Sequence, residues 1–544
     1  MKPRRPQDRR PRHRAMIVAP QPDAVEAGAA VLAAGGSAID ATIACALMQG
    51  VVDPLMCGVA GLGVLHVHDT RTGRSEVIDG LSTVPAAATP TMWEAIFEGE
   101  CKDGYGYVLR GAVNETGHGA VTTPGILRVF EAAHASHGRL PWADLFAPAI
   151  RRAREGWAVR PHVAAMFASD DRPYGRARMA DKLAYSAEGR ELYMDADAPK
   201  AMGRMVRNPN LAATLELLAR KGVEEFYSGE LAHLIVDDMQ RHGGLLSMED
   251  LAGFRIRRGA PLAITYRGRT IAAPAPAAGG IVVLEMLRIL ERFDLVAMGH
   301  NSPGYIRTVA EAMKIAGRDK ERHVGDPDRA PAPVGRLLSD AYADECATAI
   351  ARGEKASLDR VTGDSKDTTQ VCCWDADGLV VSLTHTLGLP SGAIPPGTGF
   401  MLNGAMNWYD PRPGRPNSIG PGSRRFSSMS PTLVFEDGAP AVSIGAPGGA
   451  WIGVAVLQGL LNLLDWGMGI QDAVMAPRFS ATTNAIDISN RIPRAAEAAL
   501  VEAGYTVNRS AHSYPFAALH GITGWDGVLE GGADPQRDGY AAGV

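Results

Sequence analysis

Residues 366–386 read Lys-Asp-Thr-Thr-Gln-Val-Cys-Cys-Trp-Asp-Ala-Asp-Gly-Leu-Val-Val-Ser-Leu-Thr-His-Thr. Ahead of them, residues 353–367 are polar and lack periodicity, which marks a surface linker and the best candidate for an internal boundary. Two strand-like runs follow, Thr369–Trp374 and Leu379–Thr386. The triplet Asp367-Thr368-Thr369 therefore stands where linker becomes strand. A hydroxyl at such a junction becomes a nucleophile if the bond before it is cut, because the new α-amine of Thr368 then lies beside its own hydroxyl and can act as the base. Thr-Thr at a strand start is also ordinary strand chemistry, so the triplet alone decides nothing.

Working outward, residues 432–435 and 441–444 read as further strands, with helices at Ile452–Leu464 and Ile470–Met475. Toward the N-terminus, residues 16–18 form a short strand and residues 23–34 a helix stopped by Gly35-Gly36. Ser37 caps the next helix, with Asp40 three residues on in a capping-box arrangement. Residues 59–69 and 76–79 suit a hairpin. The pattern turns helical over 124–157 and again over 200–320, broken by strand-like residues 261–271 and a loop at 274–280. Helices flanking antiparallel-type hairpins imply α+β layers and not βαβ alternation.

The chain has 544 residues, 46% apolar and 21% charged, with 62 Gly and 36 Pro. These are values of a globular protein, neither fibrous nor low-complexity. A net charge of −5 argues against nucleic acid as the main partner. No apolar run is long enough for a transmembrane helix, and no apolar core follows the basic residues 2–14 as a signal peptide requires. A disordered arm over residues 1–15 and a cytoplasmic protein with no membrane partner are the expectations. The cysteines, Cys45, Cys57, Cys101, Cys346, Cys372 and Cys373, contain no CxxC pair and read as buried thiols.

Two further segments carry chemistry. Gly448-Gly449 follows a strand and precedes an apolar helix, where successive amides can point at an oxyanion or form a tight turn. Ser427-Ser428-Met429-Ser430-Pro431 is hydroxyl-rich, just before a strand, and a turn with local hydrogen bonds is its plainer reading. His66 and His68 share one strand face, lack a third ligand, and are expected to be solvated. Cys372 and Cys373 point to opposite faces and are expected in the core. The glycines at 58–61 and near 279 lack a nucleotide-binding spacing.

Taken together, these segments resemble the γ-glutamyltransferase family of N-terminal nucleophile hydrolases, from about Met16 to Tyr540. The resemblance rests on residues 35–41 (Gly-Gly-Ser-Ala-Ile-Asp-Ala), 123–125 (Thr-Pro-Gly), 367–369, 384–386 (Thr-His-Thr), 427–431 and 445–449 (Gly-Ala-Pro-Gly-Gly), in the family's order. It implies a four-layer αββα sandwich. It also implies a precursor that cuts itself between Asp367 and Thr368, leaving a large chain of residues 16–367 and a small chain of residues 368–544. Thr368 matches the nucleophile, Thr386 the threonine that orients it, Gly448 and Gly449 the oxyanion hole, and Ser427 and Ser428 the serines that contact the substrate carboxylate.

Other family anchors are missing. The arginine that holds the glutamyl α-carboxylate aligns with Pro90. The Asn that follows Thr386-Leu in the family is Gly388, a Gln is Ala405, and the aspartate that pairs with the α-ammonium is Trp408. A zwitterion here would lose both charged partners, at several kcal/mol, whereas Trp408 offers a large apolar face. The expected function is thus an autoprocessing amidohydrolase or acylase acting on a small-molecule amide through a threonine acyl-enzyme, without metal or organic cofactor. Two alternatives stand beside it: a true γ-glutamyltransferase or glutathione hydrolase, and an unprocessed binding protein. Association into a homo-oligomer is left open.

Cleavage before Thr368 would divide the 57.5 kDa chain into fragments of roughly 39 and 19 kDa, the smaller with a free threonine amine as base. N-terminal sequencing of the smaller fragment should read Thr-Thr-Gln-Val. Any other start removes Thr368 from its role.

Overall fold

The computed structural model describes residues 13–102, 106–358, 368–513 and 515–544. Asp367 and most of the polar linker lie outside these residues, as does the arm up to residue 12.

Period-two alternation builds the core. Along the strand Met16–Pro20, Ile17 and Ala19 face one way, and Met16 and Val18 the other. Along Thr369–Trp374 and Leu379–Thr386, Val371, Cys373, Leu379, Val381 and Leu383 join the first set. Cys372, Trp374 and Val380 join the second. These strands belong to a seven-stranded antiparallel sheet. Its order runs from Arg257–Gly259 through Arg74–Gly80, Leu62–Asp69, Leu379–Thr386, Thr369–Trp374 and Met16–Pro20 to Gly539–Gly543. A six-stranded sheet lies against it, ordered Leu262–Tyr266, Arg269–Ala273, Thr432–Glu436, Ala439–Gly445, His520–Thr523 and Glu530–Ala533. The second side-chain set packs between the sheets on Ala272, Leu433, Phe435 and Ile522.

Each outer face carries helices. Ala38–Val52 and Ile126–His137 bury their apolar sides on the first sheet. Gly280–Leu290 and Ile452–Leu464 do so on the second, and Pro303–His323 packs outside them against Gly280–Leu290. Helix, sheet, sheet and helix are the four layers, so the fold is the α+β αββα sandwich that the resemblance implies. The capping box is present: Asp40 N–H donates to Ser37 Oγ at 3.1 Å, and Ser37 N–H to Asp40 Oδ2 at 2.9 Å. The cysteines are all buried and unbridged. Among the described residues no helix is long and apolar enough to cross a membrane.

The histidine pair departs from expectation. His66 and His68 are both buried and not solvated. The second sheet covers the strand face they share: His66 Nδ1 lies 3.2 Å from the Pro431 carbonyl, and His68 packs edge-on against Phe435. Sequence alternation identified the shared face but could not show that a second sheet lies over it.

Burial holds His66 at about 4, His385 at about 3 and His520 at about 4, all below the ordinary imidazole range of about 6.5. Each is neutral in the fold and takes up a proton on unfolding between those values and 6.5. Stability therefore falls as pH drops through 6.5, by up to about 1.4 kcal/mol per pH unit per histidine, and this loss levels off near pH 4. At pH 5.5 these three histidines together should take up between about two and three protons on unfolding. Buffer-corrected calorimetry that finds no uptake would contradict this burial.

Candidate active site

Strand register brings the two threonines together. Thr369 pairs with His385, so Thr368 and Thr386 lie beside each other at the strand ends, on the parity that faces the second sheet. Thr368 is buried, and its carbonyl accepts a hydrogen bond from Arg537 Nη1 at 3.0 Å. Its φ is +129°, a region that side chains rarely adopt, at a cost of about 1–3 kcal/mol. Thr386 Oγ1 accepts the Gly388 N–H at 2.8 Å, which leaves its single O–H proton to be donated elsewhere.

Thr369 faces the helices. Its Oγ1 accepts from Gln49 Nε2 at 2.8 Å, and Gln49 Oε1 lies 2.9 Å from His385 Nε2. The neutral imidazole must be the donor in that bond, so this triad fixes the strand pair from behind and has no base to offer at neutral pH. Between the sheets, Gln370 Oε1 accepts from Thr384 Oγ1 at 2.6 Å and Gln370 Nε2 donates to Ser382 Oγ at 2.9 Å. A Cβ at Gly445 would lie 2.4 Å from the Gln370 carboxamide, so only glycine fits against this network. Burial pushes the Cys372 thiol up, which suits the core role expected for it.

Gly448 and Gly449 have φ of +136° and +51° and lead through a short 3-10 turn, Gly449–Trp451, into the helix Ile452–Leu464. A Cβ at Gly448 would meet Ala517 Cβ at 2.5 Å, so both conformation and space require glycine. Gly448, Trp451, Phe516 and Arg537 line a cleft of about 810 Å³, with Trp451 and Phe516 edge-to-face at 4.9 Å.

Three of the departures from the family pattern occupy one place. Gly388 has φ +77°, and a Cβ there would lie 3.0 Å from Ala405 Cβ and 3.3 Å from Trp408 Cη2. The indole thus fills room that two small residues leave. The segments are clamped: Gly404 N–H donates to Leu387 O at 3.2 Å and Leu389 O at 2.6 Å. Asn403 Nδ2 donates to Ala60 O and Thr122 O at 3.0 and 2.9 Å. Trp408 is buried, and Arg425 Cζ stands 3.6 Å from its ring centroid. Pro90 is exposed. Ser427 is buried and Ser428 half-buried. Ser427 N–H donates to Ala277 O at 2.9 Å, and Gly279 N–H to Met429 O at 2.9 Å, so the loop at 274–280 shapes the serine segment.

Sequence reasoning singled out neither Gln49, Arg425 nor Arg537. Gln49 and Arg537 are distant in sequence from what they touch, whereas Arg425 stands two residues before Ser427 and was the one within reach. Among the described residues, one group has metal-type ligands within 4.8 Å: His118, Asp238 and His242. Its imidazoles are stacked at 4.4 Å and 11°, an arrangement that does not aim both lone pairs at one ion, and none of the three belongs to this site.

A family model described as Gamma-glutamyltranspeptidase matches residues 24–544. The chain is 36% identical over 534 residues to the Acylase ACY 1 proenzyme of Pseudomonas sp. (strain V22), covering 97% of this chain and 93% of that protein. It is 34% identical over 483 residues to the glutathione hydrolase proenzyme of Pseudomonas sp. (strain A14), covering 85% and 81%. The crystal structure of cephalosporin acylase from Bacillus halodurans aligns with TM-score 0.86 at 27% identity, covering 100% and 98%.

Thr368→Ala should abolish both cleavage and turnover, since one hydroxyl would serve both. Thr369→Ala should cost about 1–3 kcal/mol of stability through the bond lost from Gln49, with processing retained. A gel and an amidase assay on both variants decide it; blocked processing in Thr369→Ala alone would reassign the nucleophile.

Proposed function

Because the chain belongs to the gamma-glutamyltranspeptidase family, we propose that Thr368 is the residue on which its acyl-transfer chemistry runs. The protein is an N-terminal nucleophile amidohydrolase of the acylase type. In the reading we favour, the bond before Thr368 is cut, which relieves the backbone strain at that residue. Thr368 Oγ then attacks the amide carbonyl while its own α-amine takes the hydroxyl proton. Thr386, fixed by the Gly388 N–H, donates its O–H to Thr368 Oγ and holds it in line. The Gly448 and Gly449 amides face the oxyanion, a contribution typically of about 2.7–4 kcal/mol per donor. The amine leaves with the proton, and water releases the acid from the ester by the same route.

The observation that carries the specificity is the packing of Trp408 against Gly388 and Ala405. In place of an acid for an ammonium, the acyl site presents an aromatic wall. Charge-assisted bonds contribute about 1.5–3 kcal/mol each, so losing two lowers kcat/KM for a γ-glutamyl group by roughly 10²- to 10⁴-fold. Desamino acyl amides avoid burying the ammonium.

Paired kcat/KM values for glutaryl and γ-glutamyl p-nitroanilide test this. The glutaryl compound should be preferred, and Trp408→Asp should move the preference partway toward the γ-glutamyl one. A γ-glutamyl preference in the unmodified enzyme would restore the glutathione-hydrolase reading.

A further inference from the structure

We propose that the cleft beside Gly448 receives the amine side of the substrate, and that Trp451 and Phe516 select amines that carry an aromatic group. The inference rests on the acylase reading above and concerns the leaving group, which that reading does not specify.

Position comes first. A carbonyl carbon attacked by Thr368 Oγ carries, besides that oxygen, the oxyanion, the acyl chain and the amine nitrogen. The oxyanion turns to Gly448 and Gly449, and the acyl chain to Gly388, Ala405 and Trp408. One direction is left for the nitrogen. The cleft of about 810 Å³ reaches the same centre from another side: Gly448 and Arg537 line it, and Arg537 also holds the Thr368 carbonyl. Gly388, Ala405 and Trp408 do not line it.

Size and shape come second. Small-molecule sites measure about 300–1,000 Å³, so ammonia or a short alkylamine would leave most of this cleft unfilled. Trp451 and Phe516 meet there edge-to-face at 4.9 Å and 77°, so a planar group can lie on one ring and against the edge of the other. Both rings are set from the glycine turn itself. Trp451 N–H donates to Gly448 O at 3.0 Å, and Ala518 N–H to Pro447 O at 3.1 Å. Phe516 has φ +71°, a conformation that aromatic residues rarely adopt and that persists only where the surroundings hold it. Gln536 Nε2 is one such hold, donating to Phe516 O at 2.7 Å. The result is a fixed aromatic corner next to the amides that face the oxyanion.

Charge comes third. Arg509 also lines the cleft, but its Nε donates to Glu497 Oε2 at 2.7 Å and its Nη1 to Ile492 O at 2.8 Å. With Arg509 held by Glu497 and Arg537 by the Thr368 carbonyl, ring contact is the recognition we assign to the inner end of the cleft.

The same subsite works in both directions. In acylation the C–N bond breaks after the C–Oγ bond forms, and the hydroxyl proton passes through the α-amine to the departing nitrogen. In reverse, a neutral amine seated on the rings attacks the ester: C–N forms, C–Oγ breaks, and the proton lost by the amine returns to Thr368 Oγ. Amine selection is therefore readable from which amine captures the acyl-enzyme.

The test offers the acyl-enzyme formed from glutaryl p-nitroanilide an equimolar mixture of benzylamine and 2-methoxyethylamine, two primary amines of closely matched basicity. The ratio of the two amide products does not depend on how fast the acyl-enzyme forms. The unmodified protein should favour the benzylamide by at least about tenfold. Trp451→Ala and Phe516→Ala should each lower that ratio by roughly 5- to 10-fold, and Trp451→Phe should retain most of it. Equal capture of both amines, capture of neither while the acid is released, or a ratio left unchanged in both alanine variants would overturn the assignment. Thermal shift with the two amines reads the cleft without turnover. Benzylamine should raise Tm in the unmodified protein, and less in Trp451→Ala. If no p-nitroaniline is released but benzylamine still binds through Trp451, the acylase reading fails and the aromatic cleft stands. If benzylamine binds no better than 2-methoxyethylamine, the cleft assignment fails whatever the turnover.

Discussion

The pairing of Thr369 with His385 is the constraint from which the site follows. In a sheet, a slip of one residue turns every side chain to the opposite face. Here such a slip would turn Thr368 and Thr386 toward the helices and expose the Gln49 partner to the wrong layer. The register is protected on both sides: by the Thr369–Gln49–His385 bonds behind the sheet and by the Gln370–Thr384–Ser382 bonds in front of it. Polar groups in so dry a place make alternatives expensive, because each would leave a buried donor or acceptor unmet.

Gly388, Ala405 and Trp408 pack as a single unit spread over several positions. Replacing Asp by Trp at 408 brings in a much larger side chain, and the space for it comes from glycine at 388 and alanine at 405. Restoring only one of the larger polar residues would overfill the pocket. The indole in turn supplies a surface on which Arg425 stacks. The packing unit around Trp408 departs from the family pattern, while the residues at the strand ends and in the Gly448-Gly449 turn match it.

Much of this was legible from the chain. Alternation gave the central strands, apolar periodicity gave Ile452–Leu464 and Ile470–Met475, and Ser37 with Asp40 marked a helix start, because all these signals are local. The layer order came from the resemblance, and the second sheet shows it to be right. What stayed hidden depends on distant partners. The burial of His66 required knowing that Pro431 would come to lie over it. The role of Arg537 required a contact 169 residues away in the chain. The stacking of Arg425 on Trp408 was likewise out of reach, since nothing in the sequence around Trp408 announces it.

The strand Met16–Pro20 lies between Thr369–Trp374 and Gly539–Gly543, hydrogen-bonded to both. A cut before Thr368 would assign the middle strand to one product and its two neighbours to the other. The second sheet is composite in the same way, with Arg269–Ala273 joined to Thr432–Glu436. The two products would then be interlaced partners with no separable interface. Dilution alone would not part them, and neither could be purified folded and added back to the other. Maturation in such an architecture would change the chain's covalent connectivity while its cooperative unit remained one.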